Sequence, residues 1–435
     1  MIPDPVLLIL LFVIPLLVFY LIGVHVAFAL GLVSVLVMLS GLGPSWTVET
    51  FANRMFGSLN SFTLLAIPFF LFAGRMMNNI GLTDDIFDFA EALVSPLPGG
   101  LGHVNVVVSI IFSGMSGAAV ADAAGLGSIE YEAMTSRGYD GPTAAGITGA
   151  SSTIGPIIPP SIPIIVYGVT AQVSIGALFL GGILPGLLMG LALMVFITVG
   201  ALRSGRSDTS PFNLRKLAES SVRAIPGLIA PAIIIGGIAL GIFTPTEAAA
   251  VAGIYAILLG VLFYRNLDWD TFRSILGDTF EDTAVLTLII AFANVYGFVL
   301  TISGLPTILT EGLLTLSTDP TFILLLFALF FLILGTFMET IAIILIVVPI
   351  VAPVLPQIGI DPIHFGIVMM VALMIGLISP PFGVVLFALE RVTDLEIEEI
   401  IQGIIPYYIP LLVALVLLVV FPSIVLSVPR YFGLA

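Results

Sequence analysis

The sequence predicts an all-α polytopic membrane protein built from two related halves. Of its 435 residues, 59% are hydrophobic and only 9% are charged, with a mean hydropathy of +1.23, whereas soluble domains carry roughly 25% charged residues. Several apolar runs approach the roughly 20 residues that span a bilayer as a helix. Two of these runs contain a double proline, Pro159-Pro160 and Pro380-Pro381, which indicates an internal repeat.

The first double proline lies in the segment from Gly149 to Gly168, which is apolar enough for a membrane but holds four prolines. Each proline inside a helix removes a backbone donor and costs roughly 3 kcal/mol. The helix is therefore predicted to be broken here, at membrane depth. Broken backbone is tolerated in a bilayer only where protein buries it or water reaches it, so residues 155–163 form the candidate site. The alternative is a pair of proline kinks that line nothing.

A shift of 221 positions aligns the two halves without a gap from Ile111 to Pro185. Thirteen of the seventy-five aligned pairs are identical, and eight of these are Gly, Pro or Asp, which fix backbone geometry. Repeated segments interrupted by Gly and Pro at matching positions are typical of the binding sites of secondary transporters. The count of crossings favours inverted repeats.

The distribution of charge orients the chain and excludes several functions. The net charge is −15, Lys216 is the single lysine, and cysteine is absent. The chain therefore has no GxxxxGK phosphate loop, no thiol chemistry and no basic surface for nucleic acid. Five of the twelve basic residues lie in residues 203–223, so we predict that this linker is cytoplasmic. The turn at residues 169–174, one span earlier, is then on the outer side.

Each half also contains a predicted re-entrant hairpin with one carboxylate, Asp122 or Glu339. An ionisable side chain at the bilayer centre costs at least about 2.5 kcal/mol, so such residues usually have a functional partner. The alternative is that the hairpin tips reach water. Separately, the order Thr244-Pro245-Thr246-Glu247 predicts a capping box that opens a helix.

One motif favours a different class of protein. Residues 114–117 spell GMSG, and Ser116 with His364 as general base would resemble the dyad of a rhomboid-like intramembrane serine protease. That alternative leaves the repeat and the double prolines unexplained.

Four ordered motifs give the chain its resemblance to a known family. They are ASSTIGPIIPPSIPIIVYG (150–168), GIFTPTEAAAVA (241–252), LGTFMETIAIILI (334–346) and GLISPPFG (376–383). The chain resembles the large membrane subunit of tripartite ATP-independent periplasmic (TRAP) transporters over essentially its whole length.

The resemblance implies a sodium-coupled importer of a small organic anion, such as a C4-dicarboxylate or a sugar acid, in a bacterial or archaeal inner membrane. It implies no enzymatic activity and no cofactor apart from coupling sodium ions. Its expected partners are a small membrane subunit and a soluble periplasmic binding protein, in addition to membrane lipid. The implied fold has inverted repeats and an elevator mechanism, with a transport domain moving against a scaffold.

On this basis the chain divides into five predicted parts. They are N-terminal scaffold helices (1–60), repeat 1 (61–202), the linker (203–223), scaffold helices of the second half (224–282) and repeat 2 (283–435). The hairpins are expected near 105–130 and 330–356, and the broken helices near 150–168 and 370–389.

The resemblance also implies site residues. The first sodium site would use Ser116, Ala118, Gly155, Ile158 and Pro159, and the second would use Gly241, Thr244, Gly335 and Ile378. Ala118 departs from the family, in which a second hydroxyl residue commonly follows the Ser-Gly pair. The anion is expected between the hairpin tips, near Asp122, Ser152, Thr153 and Ser161.

Two alternatives within transport remain open from the sequence. A stand-alone ion-coupled anion symporter or exporter would need neither partner subunit. A permease driven by a separate ATPase would need ATP in place of an ion gradient.

Overall fold

The structure is a computed structural model that describes residues 10–12, 14–16, 18–19, 22–40, 47–117, 119–205 and 211–435. For residues 114–116 and 121 the description covers the backbone alone. All regular structure in the described residues is helical, which confirms the predicted fold class.

The helices are labelled in chain order from the first one that is described without gaps. The first ten are α1 (Val26–Ser40), α2 (Val48–Leu59), α3 (Ala66–Asn79), α4 (Leu82–Val94), α5 (Gly100–Ser116), α6 (Gly127–Ser136), α7 (Gly141–Ser152), α8 (Ile162–Ala171), α9 (Ile175–Ser204) and α10 (Leu214–Ala239). The rest are α11 (Pro245–Leu258), α12 (Trp269–Ile302), α13 (Leu305–Leu316), α14 (Pro320–Gly335), α15 (Thr340–Val351), α16 (Pro362–Leu377), α17 (Val384–Val392), α18 (Ile397–Ile404), α19 (Tyr408–Val420) and α20 (Pro422–Tyr431). Between α5 and α6, a short helix (Ala119–Ala121) continues into one π-helical turn (Asp122–Leu126).

Several of these helices are long and apolar enough to cross a membrane. In the described part of the chain, five candidate spans meet this test: Ile175–Ser204, Leu214–Ala239, Pro245–Phe263, Trp269–Ile302 and Ile397–Val420. Two further pairs of helices pass the test when each pair is taken as one span. Each pair is bent at its break: α2 lies at 55° to the helical stretch Phe62–Asn79, and α13 at 115° to α14. By length and composition, the described residues thus provide up to seven spans.

The two halves match element by element at the offset of 221 residues. Asp140 caps α7 by accepting from Thr143 N at 3.1 Å, and Asp361 caps α16 by accepting from Ile363 N at 2.8 Å. Just before them, Gly138 and Gly359 both adopt left-handed backbone, with φ of +89° and +75°, a conformation that glycine tolerates best. The repeat predicted from eight Gly, Pro and Asp identities thus holds in the local geometry of both halves.

The halves are interlocked in a crossed arrangement. Helix α8 of the first half packs on α15 of the second, and α17 of the second half packs on the π-helical turn of the first. Tyr167 on α8 shows the closeness of this packing, because its ring lies against Gly366 and its hydroxyl donates to Pro362 O at 2.5 Å. Even one methyl group at Gly366 would overlap that ring. The core is therefore shared by both repeats.

Helix starts follow the capping chemistry of the sequence. Glu247 N donates to Thr244 Oγ1 at 3.3 Å, and Thr244 N donates to Glu247 Oε2 at 2.8 Å. This reciprocal pair is the capping box predicted at the start of α11.

Candidate ion and substrate site

The first break lies entirely inside the protein. Helix α7 ends at Ser152, α8 begins at Ile162, and every residue from 144 to 168 is buried. The peptide bond between Pro159 and Pro160 is cis. Ser161 begins α8 by accepting from Ile164 N at 3.3 Å. The irregular backbone is thus covered by protein, which is one of the two conditions for such backbone at membrane depth.

The tip of the first hairpin sits directly on this break. Helix α5 ends at Ser116, and Gly117 follows in left-handed backbone with φ of +63°. A Cβ at Gly117 would lie 2.5 Å from Pro160 O and 3.2 Å from Ser161 Cα. Only a glycine allows this approach, so the tip and the break form one site.

Asp122 approaches the same break from the π-helical turn. The residue is 2% exposed, and a Cβ built on Gly155 would overlap its Oδ2. The structure thus brings together Gly117, Asp122 and Gly155. Ile158 also belongs to the break, with its side chain packed on Gly186 of α9.

The other first-site residues are placed less completely. Ser116 is the last residue of α5, described by its backbone alone, and Ala118 lies outside the described residues. Pro159 is buried in the break.

The three candidate hydroxyls for the substrate are buried and already engaged. Ser152 Oγ donates to Gly149 O at 2.9 Å, and Thr153 Oγ1 donates to Ala150 O at 2.6 Å. Ser161 Oγ accepts from the start of α8. In this conformation, Ser152 and Thr153 do not offer a hydroxyl proton to an anion, because each proton is used within the helix.

A polar cluster beneath the hairpin was missed by the sequence analysis. Asn105 Nδ2 on α5 donates to Thr148 Oγ1 on α7 at 2.8 Å, and Ser151 Oγ donates to Asn105 Oδ1 at 2.6 Å. All three residues are at most 1% exposed. Buried polar groups of this kind need partners, and here the bonds tie the hairpin to the broken helix. The one local signal was a lone Asn in an apolar run.

The second break has the same construction with different close contacts. Helix α16 ends at Leu377, α17 begins at Val384, and the Pro380–Pro381 peptide is cis. Gly383 N reaches across to the hairpin and donates to Thr336 O at 3.2 Å. Gly335 and Gly376 lie so close that a Cβ on Gly376 would be 2.7 Å from Gly335 Cα. The second hairpin therefore also sits on its own break.

Two second-half residues have partners that their sequence context did not predict. The Ile378 carbonyl, a predicted sodium ligand, accepts from Tyr408 Oη at 2.8 Å. Glu339 caps α15 by accepting from Ile341 N at 2.8 Å and Ala342 N at 3.1 Å. These bonds give Glu339 a structural role at the helix start.

Gly241 and Thr244 occupy a different environment from Gly335 and Ile378. Both line an open cavity of about 1750 Å³, which neither Gly335 nor Ile378 lines. Gly241 turns the chain in left-handed backbone with φ of +68°, and nothing lies within 4 Å of a Cβ built on it. The side chain of Thr244 is taken up by the capping box of α11.

Comparison with known proteins decides the family. The family model of the "Tripartite ATP-independent periplasmic transporter, DctM component" matches residues 13–424. The chain belongs to the DctM family. It is 42% identical, over 94% of its length and 96% of the relative's, to the sialic acid TRAP transporter large permease protein SiaM of Vibrio cholerae. It is 38% identical, over 89% and 91%, to the C4-dicarboxylate TRAP transporter large permease protein DctM of Pseudomonas aeruginosa.

The fold also resembles that of a solved transporter. The YdaH transporter of Alcanivorax borkumensis aligns with a TM-score of 0.62 at 16% identity, covering 94% of this chain and 98% of that one. This DctM-family chain is thus a multi-pass cell membrane protein and the large permease subunit of a TRAP transporter. Membership of a permease family confirms that it is not an enzyme, and the GMSG motif is not a protease signature.

The placement of His364 fits this conclusion. Its Nε2 is bonded to Leu418 O at 2.7 Å, where α16 packs on α19. The imidazole therefore serves as a link between two helices in the core.

Proposed function

We propose that this chain is the transporting subunit of a sodium-driven importer for a small organic carboxylate. The carboxylate is delivered by a soluble periplasmic binding protein, and a small membrane subunit completes the transporter. The observation that carries the proposal is the pair of hairpin tips seated on two helix breaks, of which the first is buried and the second exposes residues 380–382. Paired breaks at matching positions of two repeats are where secondary transporters hold ions and substrate.

The chemistry of the first break suits sodium. A small hard cation prefers oxygen ligands, and two consecutive prolines release backbone carbonyls from helical hydrogen bonding. Carbonyl ligation at Gly155, Ile158 and Pro159 needs no carboxylate, and the tip at Ser116 and Ala118 would supply the remaining oxygens. The second ion would use Gly335 and Ile378, with Gly241 and Thr244 as further candidates.

The substrate class is proposed from the relatives together with the site. The two relatives above are named for sialic acid and C4-dicarboxylates, and both ligands are carboxylates. Because the hydroxyl protons of Ser152 and Thr153 are used by carbonyls of their own helix in this conformation, binding near Ser152, Thr153, Ser161 and Asp122 through these hydroxyls requires the two side chains to rotate. We take the hairpin tips to open on one side at a time in an elevator cycle.

The driving force is sufficient for uptake against a gradient. Each sodium ion that crosses a potential of 100 mV contributes about 2.3 kcal/mol, and a tenfold gradient adds about 1.4 kcal/mol. Because two sodium ions and a dianion together carry no net charge, the potential cancels for a dianion, and the two sodium gradients alone supply about 2.8 kcal/mol, enough to concentrate it about 100-fold.

The test is uptake of radiolabelled succinate and N-acetylneuraminate into proteoliposomes that hold the complete transporter. We expect uptake that requires an inward sodium gradient and stops when choline replaces sodium. Uptake that proceeds equally without the gradient contradicts the proposal. A stand-alone symporter would keep its activity when the binding protein is left out. Uptake that continues without ATP would exclude a permease driven by a separate ATPase.

Substitution of Gly155 tests the ion site itself. A Cβ at this position would overlap the carboxylate of Asp122 and lie 3.2 Å from Ser152 O, so Gly155→Ala is expected to raise the sodium concentration for half-maximal uptake about tenfold. Pro159→Ala is expected to act in the same direction, because it favours helix where carbonyls are free. A normal sodium response in both folded variants would contradict the assignment.

A further inference from the structure

The cavity lined by Gly241 and Thr244 lies between the predicted outer face and the second hairpin, and its lining is unusual in charge. Its walls come from α2, the turn between α8 and α9, the start of α11 and the last turns of α12. Its lining also includes Leu345 and Pro349 of α15, the second arm of the second hairpin. The turn between α8 and α9 is the one that the charge distribution places on the outer side. The cavity therefore connects the predicted outer face with the hairpin that carries part of the candidate site.

Arg54 is the one charged side chain among the described residues that line this cavity. In the described part of the chain, no aspartate or glutamate lines it, although the sequence contains 27 acidic residues and 12 basic ones. The lining is otherwise polar and neutral or apolar, with Asn53, Gln172 and Asn294 among its hydrogen-bonding side chains. Arg54 is thus the cation at the cavity wall, and the nearby carboxylate of Glu247 is occupied by the capping box at Thr244.

The guanidinium of Arg54 lies over an aromatic ring and has no carboxylate partner among the residues that the structure describes. Its Cζ lies 4.1 Å from the ring centroid of Phe298 on α12, and none of the ion pairs among the described residues involves it. Stacking on an aromatic face leaves the edge of the guanidinium free, and that edge presents paired N–H donors that match a carboxylate. Arginine binds carboxylates in this bidentate way more strongly than a neutral donor does.

We propose that Arg54 forms an entry site that binds the carboxylate of the incoming substrate in this cavity before it reaches the hairpin tips. This inference rests on the proposed function, because it takes the substrate to be an organic carboxylate. Arg54 acts as a binding residue for the anion at the outer opening, separate from the residues of the two helix breaks. It supplies the cationic partner that the break motifs themselves lack.

The first experiment measures direct binding and does not depend on transport. Purified transporter is treated with phenylglyoxal, which modifies arginine, with and without millimolar succinate or N-acetylneuraminate, and modification is mapped by mass spectrometry. We expect at least one of the two carboxylates to slow modification of Arg54 at least fivefold, whereas Arg273, an exposed arginine on α12 that does not line the cavity, reacts equally in both cases. Equal reaction of Arg54 with and without both carboxylates overturns the proposal.

The second experiment measures uptake of the same two probes by three variants in proteoliposomes. We expect Arg54→Gln to raise KM about tenfold with Vmax within twofold of the wild type, Arg54→Lys to recover part of the affinity, and the matched control Arg273→Gln to match the wild type. An unchanged KM in Arg54→Gln overturns the entry site. Arg54→Gln could instead need more binding protein for the same uptake, while neither carboxylate protects Arg54. That result would assign Arg54 to docking of the binding protein and would also overturn the entry site.

The two experiments separate failure of this inference from failure of the proposed function. Protection of Arg54 together with wild-type uptake that needs no sodium supports the anion site and contradicts sodium coupling. Sodium-driven uptake without protection of Arg54 supports sodium coupling and contradicts the anion site.

Discussion

Single glycines set the geometry of the candidate site at the residue scale. Gly117 is the sharpest case: its backbone is left-handed, and a Cβ built on it would lie 2.5 Å from Pro160 O, so both its conformation and its surroundings exclude a side chain. Gly117→Ala is therefore expected to lift the hairpin tip from the break and raise the sodium concentration for half-maximal stabilisation about tenfold. The measurement is the sodium-dependent shift of thermal unfolding in purified protein.

A second glycine in the same hairpin provides the control. Gly125 lies in the π-helical turn, and nothing stands within 4 Å of a Cβ built on it. Gly125→Ala is expected to leave the sodium response unchanged and to alter stability by less than about 1 kcal/mol. If both variants lose the response equally, the effect comes from the hairpin as a whole and not from the contact with Pro160.

At the scale of elements, an ion-pair cluster joins three helical segments that are distant in sequence. Glu91 on α4 binds Arg137 Nη1, at the end of α6, at 2.6 Å and Lys216 Nζ, on α10, at 2.7 Å. Burial raises the pKa of Glu91, but the hydrogen bonds and charges of Lys216 and Arg137 outweigh it and leave the pKa below its ordinary value. The single lysine of the chain thus links α10 to α4, beside a second, more exposed ion pair between Arg223 and Asp88 at 3.2 Å.

The sign of this shift gives a pH prediction. Because the pKa of Glu91 is depressed in the folded state, its stabilisation is present above the ordinary pKa of about 4.3 and is lost as pH falls through the folded value. Glu91→Gln is expected to lower stability by about 1–2 kcal/mol at pH 7, and the gap to the wild type closes in acid. Thermal unfolding at pH 7, and then in steps from pH 5 to pH 3, measures both.

An exposed ion pair on α10 provides the comparison. Arg215 and Glu219 are 2.7 Å apart, but their side chains are 88% and 59% exposed, so solvent screens the pair. Arg215→Gln is expected to change the unfolding temperature by no more than about 1 °C. If Glu91→Gln and Arg215→Gln lower the unfolding temperature by similar amounts, the burial of Glu91 adds nothing to the strength of its ion pairs.

At the scale of the whole molecule, sequence reasoning succeeded where backbone chemistry is local. Gly138, Asp140 and the double proline at 159–160 fix their own turns and caps, and so do their counterparts 221 positions later. Contacts between distant residues were not predictable in this way. The cluster around Glu91 spans 125 residues, and Arg54 meets Phe298 only because α2 packs on α12. Neither pairing leaves a periodic pattern in the sequence.

The crossed packing of the repeats predicts that neither half is stable alone. Without the second half, α8 would lose its contacts with α15, and the ring of Tyr167 would lose its contact with Gly366. The buried break at 153–161 would then be exposed to lipid, where each unsatisfied backbone group costs several kcal/mol. When residues 1–205 and 211–435 are produced as separate chains with a tag on one, we expect each alone to be degraded. Produced together, they are expected to copurify as a one-to-one complex, because every packed surface is then restored. Recovery of either half alone as a folded, monodisperse protein would show that the interlock is not needed for folding.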